Sequence, residues 1–451
     1  MRRLLLILTT VLVVLLGGRL LWATLSVPQT SKKVVLTSHD RQLQVLALRT
    51  DPKLRGALQL LGETQILEEA IDAYRAESLA LAKDPRRRAP ILIKLGLLET
   101  ETSPDRALKT WKQADLTPAA PILAGLWKSP PLILPEGEAI LGEQLTGWYR
   151  SQALTRLYTV QRRTDALQDL QADDRTQALE IFSRLLVVQL VPLIATVLGS
   201  ILLLSWLAWR QFQPLPPRWQ VPWSIETTWE GVVYWYALFL SLSVLLSQLG
   251  AILKSARSDA LGVALLNLFN YGVLSGAGIT LLYLLIWRPL GESKKWFSYQ
   301  FVAGWWRWGI GGWLVSFPVV IVFSALSQKL LGDGGGGNSL LESIGDAKSP
   351  LVQLVFVSAL SIAAPLFEET FFRGFVFAGL ASRLSTPQAI VTSAGLFALA
   401  HWSAVEFLPL AALGIILATV YHYTRSLLPS ILIHALWNGG TFLFLVLLGN
   451  S

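Results

Sequence analysis

Long apolar runs dominate the sequence from residue 185 onward, and they constrain the fold more than any other feature. A run of about 20 apolar residues is the length that an α-helix needs to cross a bilayer. The composition of the whole chain also indicates a membrane protein. Hydrophobic residues make up 53% of it and charged residues 15%, whereas soluble domains have about 25% charged residues. We therefore predict an all-α, multipass transmembrane helical bundle of about eight or nine spans. The expected spans after the first one are 185–209, 231–253, 261–287, 303–326, 351–380, 387–402, 406–423 and 427–448.

The N-terminal segment, residues 1–26, has the pattern of a targeting or anchoring sequence. Arg2 and Arg3 precede a long apolar run, which is typical of a signal peptide or of an uncleaved membrane anchor. We favour the anchor, because no clear cleavage site follows the run and the apolar character resumes after Arg19. Either interpretation predicts that the following segment is exported.

The net charge of +8 indicates membrane orientation rather than a nucleic-acid partner. Short loops on the side of the N-terminus carry more Arg and Lys than the loops on the opposite side, which predicts a cytoplasmic N-terminus. Residues 27–184 are then extracytoplasmic. We expect a multipass integral protein of the plasma or inner membrane; a thylakoid membrane would give the same pattern. The composition excludes a soluble enzyme and a basic nucleic-acid-binding domain.

Residues 27–184 hold most of the charge and contain no run long enough to span a bilayer. Helical periodicity predicts helices over 66–83 and 106–115. The apolar residues of the first helix are expected to share one buried face: Leu67, Ala70, Ile71, Tyr74 and Leu79. The pattern faintly resembles tetratricopeptide helix pairs, and a plain helical hairpin domain explains it equally well. The domain is either a folded spacer or the binding site of a protein partner.

Charged residues inside a membrane span are costly and usually functional. The predicted span 351–380 contains two adjacent carboxylates, Glu368 and Glu369, and also Arg373. Glu369 and Arg373 are four residues apart, so they share a helix face and can pair. Glu368 lies about 100° further round the helix and can face another neighbour. Taken alone, the group fits a structural ion pair as well as a functional site.

Two of the four histidines favour a functional site. His401 ends the span 387–402, and His434 lies in the last span with Asn438 four residues further on. At about 1.5 Å of rise per residue, these side chains can reach a depth similar to that of Glu368. Because cysteine is absent, thiolate catalysis and cysteine-ligated metal sites are excluded.

These residue types suit hydrolysis. A glutamate in a desolvated cavity can act as the general base on a water molecule, and a neutral histidine can share that water. A second histidine with an amide, His434 with Asn438, can donate hydrogen bonds to a developing oxyanion. The same groups allow an alternative, a Zn²⁺ site formed by Glu368, His401 and His434 with one open position.

Three motifs follow one another inside the predicted spans: EExxxR with Glu368, Glu369 and Arg373; FxxxH with Phe397 and His401; HxxxN with His434 and Asn438. In these motifs the chain resembles the CPBP family of intramembrane proteases, which includes the type II CAAX prenyl endopeptidases and the Abi proteins. The resemblance covers about 351–448, with all three motifs inside 365–438. It implies a membrane-embedded protease core over 185–451, whose cavity opens toward the cytoplasm.

The resemblance also implies roles for single residues. Glu368 would activate water with the help of His401, and His434 with Asn438 would stabilise the oxyanion. Supporting roles would fall to Glu369, Arg373 and Phe397. The family is usually labelled metalloprotease, which keeps zinc as an expectation, and its substrates would be membrane-associated proteins or peptides, including lipidated ones.

Two other functions compete with the protease. A catalytically silent membrane scaffold would bind protein partners through residues 27–184, and only membrane lipid would contact its core. A transporter would use the Glu and His side chains for protons, but it would often show paired repeats of its spans, and none is visible in the sequence. We therefore favour the intramembrane endopeptidase.

Overall fold

The computed structural model describes residues 2–26, 36, 39–40, 42–50, 54, 56, 58, 63–114, 116–213, 216–256, 260–291, 297–331 and 349–449. The chain divides into two compact units. One, the soluble unit, comprises residues 31–187. The other, the membrane unit, comprises residues 1–30 and 188–450. The predicted all-α fold is confirmed, because the described residues form helices and turns and contain no strand.

The soluble unit is built from short helices that pack in sequence order. After a 3-10 turn over Val45–Thr50, its helices are α2 (Glu63–Ala80), α3 (Pro85–Thr100), α4 (Pro104–Trp111), α5 (Ala119–Leu126), α6 (Gly137–Gln144) and α7 (Gly147–Gln161). The two helices predicted over 66–83 and 106–115 are present as α2 and α4. A tetratricopeptide-like arrangement stays a prediction.

The buried face of α2 differs from the expected one at a single position. Leu67, Ala70, Ile71 and Tyr74 are buried, but Leu79 is 67% exposed. The reason is helical geometry: five residues beyond Tyr74, a side chain lies about 140° round the helix. Leu79 therefore leaves the buried face on which the other four residues lie.

A half-buried carboxylate, Asp40, joins three helices of the soluble unit. Its Oδ1 accepts hydrogen bonds from the hydroxyl of Tyr74 on α2 at 2.7 Å and from that of Tyr149 on α7 at 2.8 Å. Lys94 Nζ on α3 donates to Oδ2 at 2.7 Å and lies 4.7 Å from the centre of the Tyr149 ring. This network fixes the segment around Asp40 on the helices.

The Asp40 network makes a prediction about alkaline pH. Burial raises the pKa of Tyr74 and Tyr149 well above the ordinary value of 10, and the charge of Asp40 raises it further. Above pH 10 the unfolded chain therefore loses two protons that the folded chain keeps. The free energy of unfolding is then expected to fall as the pH rises, by up to about 2.7 kcal/mol per pH unit for two protons.

The measurement is the ultraviolet absorbance of phenolate, followed as the pH is raised to about 11. The folded wild type and the variant with both Tyr74→Phe and Tyr149→Phe should show the same increase, because neither tyrosine ionises in the folded protein. If the absorbance increase of the variant were smaller than that of the wild type by the amount expected for two tyrosines, the network would be contradicted.

The membrane unit contains the helices that are long and apolar enough to cross a bilayer. Across the described residues there are eight such helices, within the predicted number. They are α1 (Arg2–Ser26), α8 (Thr164–Arg210), α9 (Ile225–Ala256), α10 (Leu261–Leu290), α11 (Trp305–Leu331), α12 (Pro350–Ala381), α14 (Ala404–Thr424) and α15 (Leu427–Gly449). The chain is therefore an integral, multipass membrane protein.

Two helices differ from their predicted spans. Helix α8 begins at Thr164, 21 residues before the expected start at 185, because the polar segment ahead of the apolar run continues the same helix. Helix α13 (Thr386–Leu399), expected as the span 387–402, has 14 residues and is about 21 Å long. It is too short to cross a hydrocarbon core of about 30 Å.

Aromatic packing holds α12 at the centre of the membrane unit. Phe371, Phe372, Phe375 and Phe377 are fully buried, and the ring of Trp235 on α9 lies 4.9 Å from that of Phe371. A continuous buried cluster of this kind fixes the rotation of α12 against its neighbours. The residues that carry the EExxxR motif lie on this helix.

Candidate active site

The site is built on a helix whose winding changes twice. Within α12, Ala359–Ala363 and Thr370–Phe377 are π-helical, and the α-helical segment Ala364–Glu369 lies between them. Pro365 has no N–H, and its ring cannot pack against the carbonyl four residues earlier. We attribute the wider first turn to this proline. Turns of this kind in α-helices are frequent at functional sites.

Glu369 is fully buried and lies at the centre of a charged cluster. Its Oε1 accepts a hydrogen bond from Arg373 Nη1 at 2.9 Å and lies 2.8 Å from His434 Nδ1. Arg373 is also fully buried, and His434 is 3% exposed. The predicted pairing of Glu369 with Arg373 is therefore present, and His434 completes the cluster.

Arg373 reaches two further partners through the close approach of α13 to α14. A Cβ at Gly414 would lie 3.0 Å from Ala394, so glycine favours this spacing and a larger residue would push the neighbour away. The carbonyl of Gly414 then accepts a hydrogen bond from Arg373 Nη2 at 3.4 Å. The guanidinium lies 4.4 Å from the centre of the Phe397 ring, a cation–π contact. Phe397 thus supports the cluster from α13.

Glu368 points in a different direction from Glu369, as its place in the helix predicts. Tyr271 on α10 donates a hydrogen bond to Glu368 Oε1 at 3.2 Å. Glu368 Oε2 is buried without a protein hydrogen-bond partner and lies 3.9 Å from His434 Nε2. That separation is too long for a direct hydrogen bond, but one water molecule can bridge it.

His434 thus connects the two carboxylates. Its Nδ1 lies against Glu369 and its Nε2 faces Glu368. If Nδ1 carries the proton, as a hydrogen bond to a carboxylate favours, Nε2 is left free to accept one. The histidine ring is held in this orientation by Glu369 and by the ring of Phe397 at 5.6 Å.

His401 lies on an exposed turn directly after α13. Its Nδ1 is 3.0 Å from the carbonyl of Phe397, and its ring lies 5.1 Å from the Phe397 ring. Trp402 follows with a left-handed backbone, φ +49°, and its ring fills the space beside Gly17 of α1. His401 therefore reaches the site from a different element than His434 does.

Asn438 lies one helical turn from His434, and its amide is already engaged. Nδ2 donates to the carbonyl of Leu360 at 2.9 Å, within the first π-helical turn of α12. One of the two N–H groups of this amide therefore holds that turn.

A cavity of about 930 Å³ opens beside Glu368 and His401. Trp235, Phe367 and Phe372 form its apolar floor. The remaining lining from α9 and α10 mixes apolar side chains with polar ones, and the polar ones are Ser243, Ser247, Asn267, Asn270, Tyr271 and Ser275. A cavity with an apolar floor and a few convergent polar groups is the usual form of a ligand-binding site. His434, Glu369 and Arg373 are not on its wall.

The residues do not fit the expected zinc site. Over the part of the chain that the structure describes, no three His, Asp or Glu side chains are grouped so that they could hold a metal ion. Glu368 and His434 form a close pair, but His401 does not complete a triad with them. The set of Glu368, His401 and His434 as metal ligands therefore stays a prediction, and no step below runs through a metal.

Sequence reasoning missed two groups of this site. Tyr271 lies one residue after Asn270 in an apolar helix, and a hydroxyl at that position was a usable signal, since a buried Tyr hydroxyl usually needs a partner. The carbonyl of Gly414 could not be predicted from the sequence. Every residue has a main-chain carbonyl, and the tertiary packing decides which of them contacts Arg373. All three motifs are otherwise present around one site: Glu368 with His401 on the cavity, and Glu369 with Arg373 and His434 behind it.

One comparison with known proteins identifies this region. Residues 350–440 match the family of type II CAAX prenyl endopeptidase Rce1-like proteins. The match covers α12, α13, α14 and part of α15, and so contains every motif discussed above. No curated protein and no solved structure matches the chain. The resemblance to the CPBP intramembrane proteases is confirmed.

Proposed function

We propose that this chain, whose membrane unit carries an Rce1-like domain of the CPBP family, is an intramembrane endopeptidase. It hydrolyses a peptide bond of a membrane-associated protein or peptide with water activated by Glu368. One observation carries the proposal. Glu368 lines a large cavity, and its unpartnered Oε2 lies 3.9 Å from the Nε2 of a histidine.

Glu368 is the general base in this proposal. A water molecule between Glu368 Oε2 and His434 Nε2 gives its proton to the carboxylate while its oxygen attacks the carbonyl carbon of the peptide bond. The tetrahedral intermediate collapses when the C–N bond breaks. Glu368 then returns the proton to the leaving amine, so the carboxylate is regenerated and one water molecule is consumed.

Glu369 and Arg373 are positioning residues, because neither of them lines the cavity. Glu369 fixes the ring of His434 through Nδ1 at 2.8 Å, and Arg373 balances the buried charge of Glu369. In this arrangement a carboxylate orients a histidine through one ring nitrogen, and the other ring nitrogen acts on a further group. Phe397 packs against the guanidinium of Arg373 and the rings of His401 and His434, and it keeps these groups in place.

His401 lies on the open side of the site and lines the same cavity as Glu368. Its Nδ1 faces a carbonyl oxygen, so Nε2 of the neutral ring accepts a hydrogen bond from the water, and only the protonated ring would donate to the oxyanion as that charge develops. The resemblance assigns the oxyanion to His434 with Asn438. We infer that Asn438 uses one of its two N–H groups to hold the π-helical turn ahead of Glu368.

The substrate is a protein or peptide, and the cavity volume also accommodates part of a lipid-modified segment. Membrane lipid surrounds the helices, and residues 27–184 are the candidate site for a protein partner. The competing scaffold proposal assigns the whole function to those residues. It predicts that Glu368→Ala leaves a cellular phenotype intact while deletion of 27–184 abolishes it.

Peptide cleavage by the purified full chain in detergent tests the proposal. A diverse quenched peptide library is offered with and without a membrane-anchoring lipid, to wild type, Glu368→Ala and His434→Ala. Loss of cleavage in both variants supports the hydrolase. Parallel samples with a chelator and with added Zn²⁺ test the zinc prediction: chelator-sensitive cleavage supports a metal, and insensitivity supports metal-free activation of water.

Tyr271 provides a finer prediction. Its hydrogen bond orients the Glu368 carboxylate, and a hydrogen bond to a charged group contributes about 1.5 kcal/mol or more. Tyr271→Phe is therefore expected to lower kcat about tenfold with KM little changed. Tyr283→Phe is the matched control, since Tyr283 is an exposed residue of the same helix. A rise in KM at unchanged kcat would assign Tyr271 to substrate binding instead.

A further inference from the structure

The cavity beside Glu368 is lined by long stretches of α9 and α10. On α9 its lining runs from Trp235 to Gly250, and on α10 from Ser275 back to Val263. These stretches correspond to about 22 Å and about 18 Å of helix. Because α9 and α10 are antiparallel neighbours, both stretches lead from the depth of Glu368 toward the last residues of α9 and the first residues of α10.

Basic side chains mark the opposite end of the membrane unit. Arg218 donates to the carbonyl of Arg383 at 3.1 Å, and Arg425 contacts the carbonyl of Pro217. Glu226 at the start of α9 lies within electrostatic range of both Arg3 and Arg383. We call this end, with the first residues of α1 and α9 and the last residues of α12 and α14, the basic face.

The short helix α13 explains why the cavity does not open on the basic face. It starts at that face after α12 and ends after about 21 Å, so the turn with His401 lies inside the thickness of the bilayer. Below this turn, toward the basic face, the space is filled by buried side chains such as Phe372, Phe397 and Tyr421. Above it, Ser247 on α9 is exposed and lines the cavity.

We propose that the active-site cavity opens at the membrane face opposite the basic face, and that substrate segments enter from there. Basic loops collect on the cytoplasmic side of membrane proteins, so the mouth is extracytoplasmic. The substrates are then segments of exported or membrane-inserted proteins that reach the site from outside. This reverses the cytoplasmic opening that the resemblance to the CPBP proteases implies.

The cavity also sets the form of the substrate. An extended chain advances about 3.3 Å per residue, so a lining of about 22 Å holds about six residues. Asn267 and Asn270 lie along the wall of α10, and Asn270 Oδ1 is buried without a partner. Amide side chains can donate to and accept from a peptide backbone, so this wall suits an unfolded segment rather than a folded domain.

Single cysteines test the direction of opening, because the chain has none of its own. Ser247→Cys reports the cavity, Ser349→Cys reports the face at which α12 begins, and Gln211→Cys reports the basic face at the end of α8. Each full-length variant is labelled with a membrane-impermeant maleimide in sealed spheroplasts and in inside-out vesicles. We expect Ser247→Cys to be labelled from the same side as Ser349→Cys, outside, and Gln211→Cys only in inside-out vesicles.

Labelling of Ser247→Cys from the side of Gln211→Cys, from both sides or from neither would overturn the inference. A cleavage readout joins it to the proposed function on which it rests. A bulky maleimide applied from outside should abolish cleavage by Ser247→Cys relative to the unlabelled variant and leave Ser349→Cys active. If the wild type shows no Glu368-dependent cleavage, the proposed function fails while the labelling pattern still decides the direction of opening.

Discussion

Replacement of Glu368 by glutamine is expected to lower kcat by about 10²- to 10⁴-fold, the usual contribution of a general base. Glutamine has nearly the same shape as glutamate, so Tyr271 can keep a hydrogen-bond partner at this position. It cannot accept a proton from water, however. KM should change little, because substrate contacts along α9 and α10 are untouched. The measurement is steady-state cleavage of the best library peptide.

Glu226→Gln is the matched control for this variant. It makes the same chemical change on a carboxylate at the start of α9, outside the cavity, and should leave kcat within a factor of about two, since surface changes shift free energies by about 0.5 kcal/mol or less. Both proteins must unfold at the same temperature as wild type. Folded Glu368→Gln with wild-type kcat would remove Glu368 from the mechanism and assign the water activation to another group.

The second large effect concerns stability. Arg373 is fully buried, and Arg373→Met leaves the carboxylate of Glu369 inside the bundle without its cation. Breaking a buried ion pair in this way costs about 3–5 kcal/mol. We therefore expect a clear loss of thermal stability for the full chain in detergent. The same change at Arg383, an exposed residue at the end of α12, should cost about 0.5 kcal/mol or less.

A double variant separates charge from packing. Glu369→Leu combined with Arg373→Met removes both charges, so no charge of the pair is left uncompensated. The double variant should be more stable than Arg373→Met alone, with a coupling energy of about 0.5–3 kcal/mol. Part of the loss remains, because His434 Nδ1 loses its acceptor. If Arg373→Met and the double variant were equally stable, the charges of Glu369 and Arg373 would not contribute to the stability, and only the volumes of the two side chains would matter.

Local rules explain the part of the site that sequence predicted. The spacing of four residues brings Glu369 and Arg373 together on one helix face, and the offset of one residue turns Glu368 toward another neighbour. Both features are present. The apolar runs likewise predict most ends of the membrane helices to within a few residues. Side chains that face lipid must be apolar, so a membrane helix is visible as a long apolar run in the sequence.

Tertiary contacts explain the part that sequence did not predict. His434 was expected to act with Asn438, since both share a face of α15. In the structure the nearest partner of His434 Nδ1 is Glu369 of α12, and Asn438 reaches Leu360. The spacing of residues along one helix cannot predict contacts between two helices. Those contacts depend on the rotation of α12 against α15 and on the π-helical turns of α12.

Cleavage in water enriched in heavy oxygen tests the central claim most directly. A single library peptide is incubated with the full chain, and the products are weighed by mass spectrometry. Direct hydrolysis predicts one heavy oxygen in the new carboxyl terminus with wild type and no product above background with Glu368→Gln. An intact peptide after incubation with folded wild type, or equal labelled product from Glu368→Gln, would contradict an endopeptidase that activates water through Glu368.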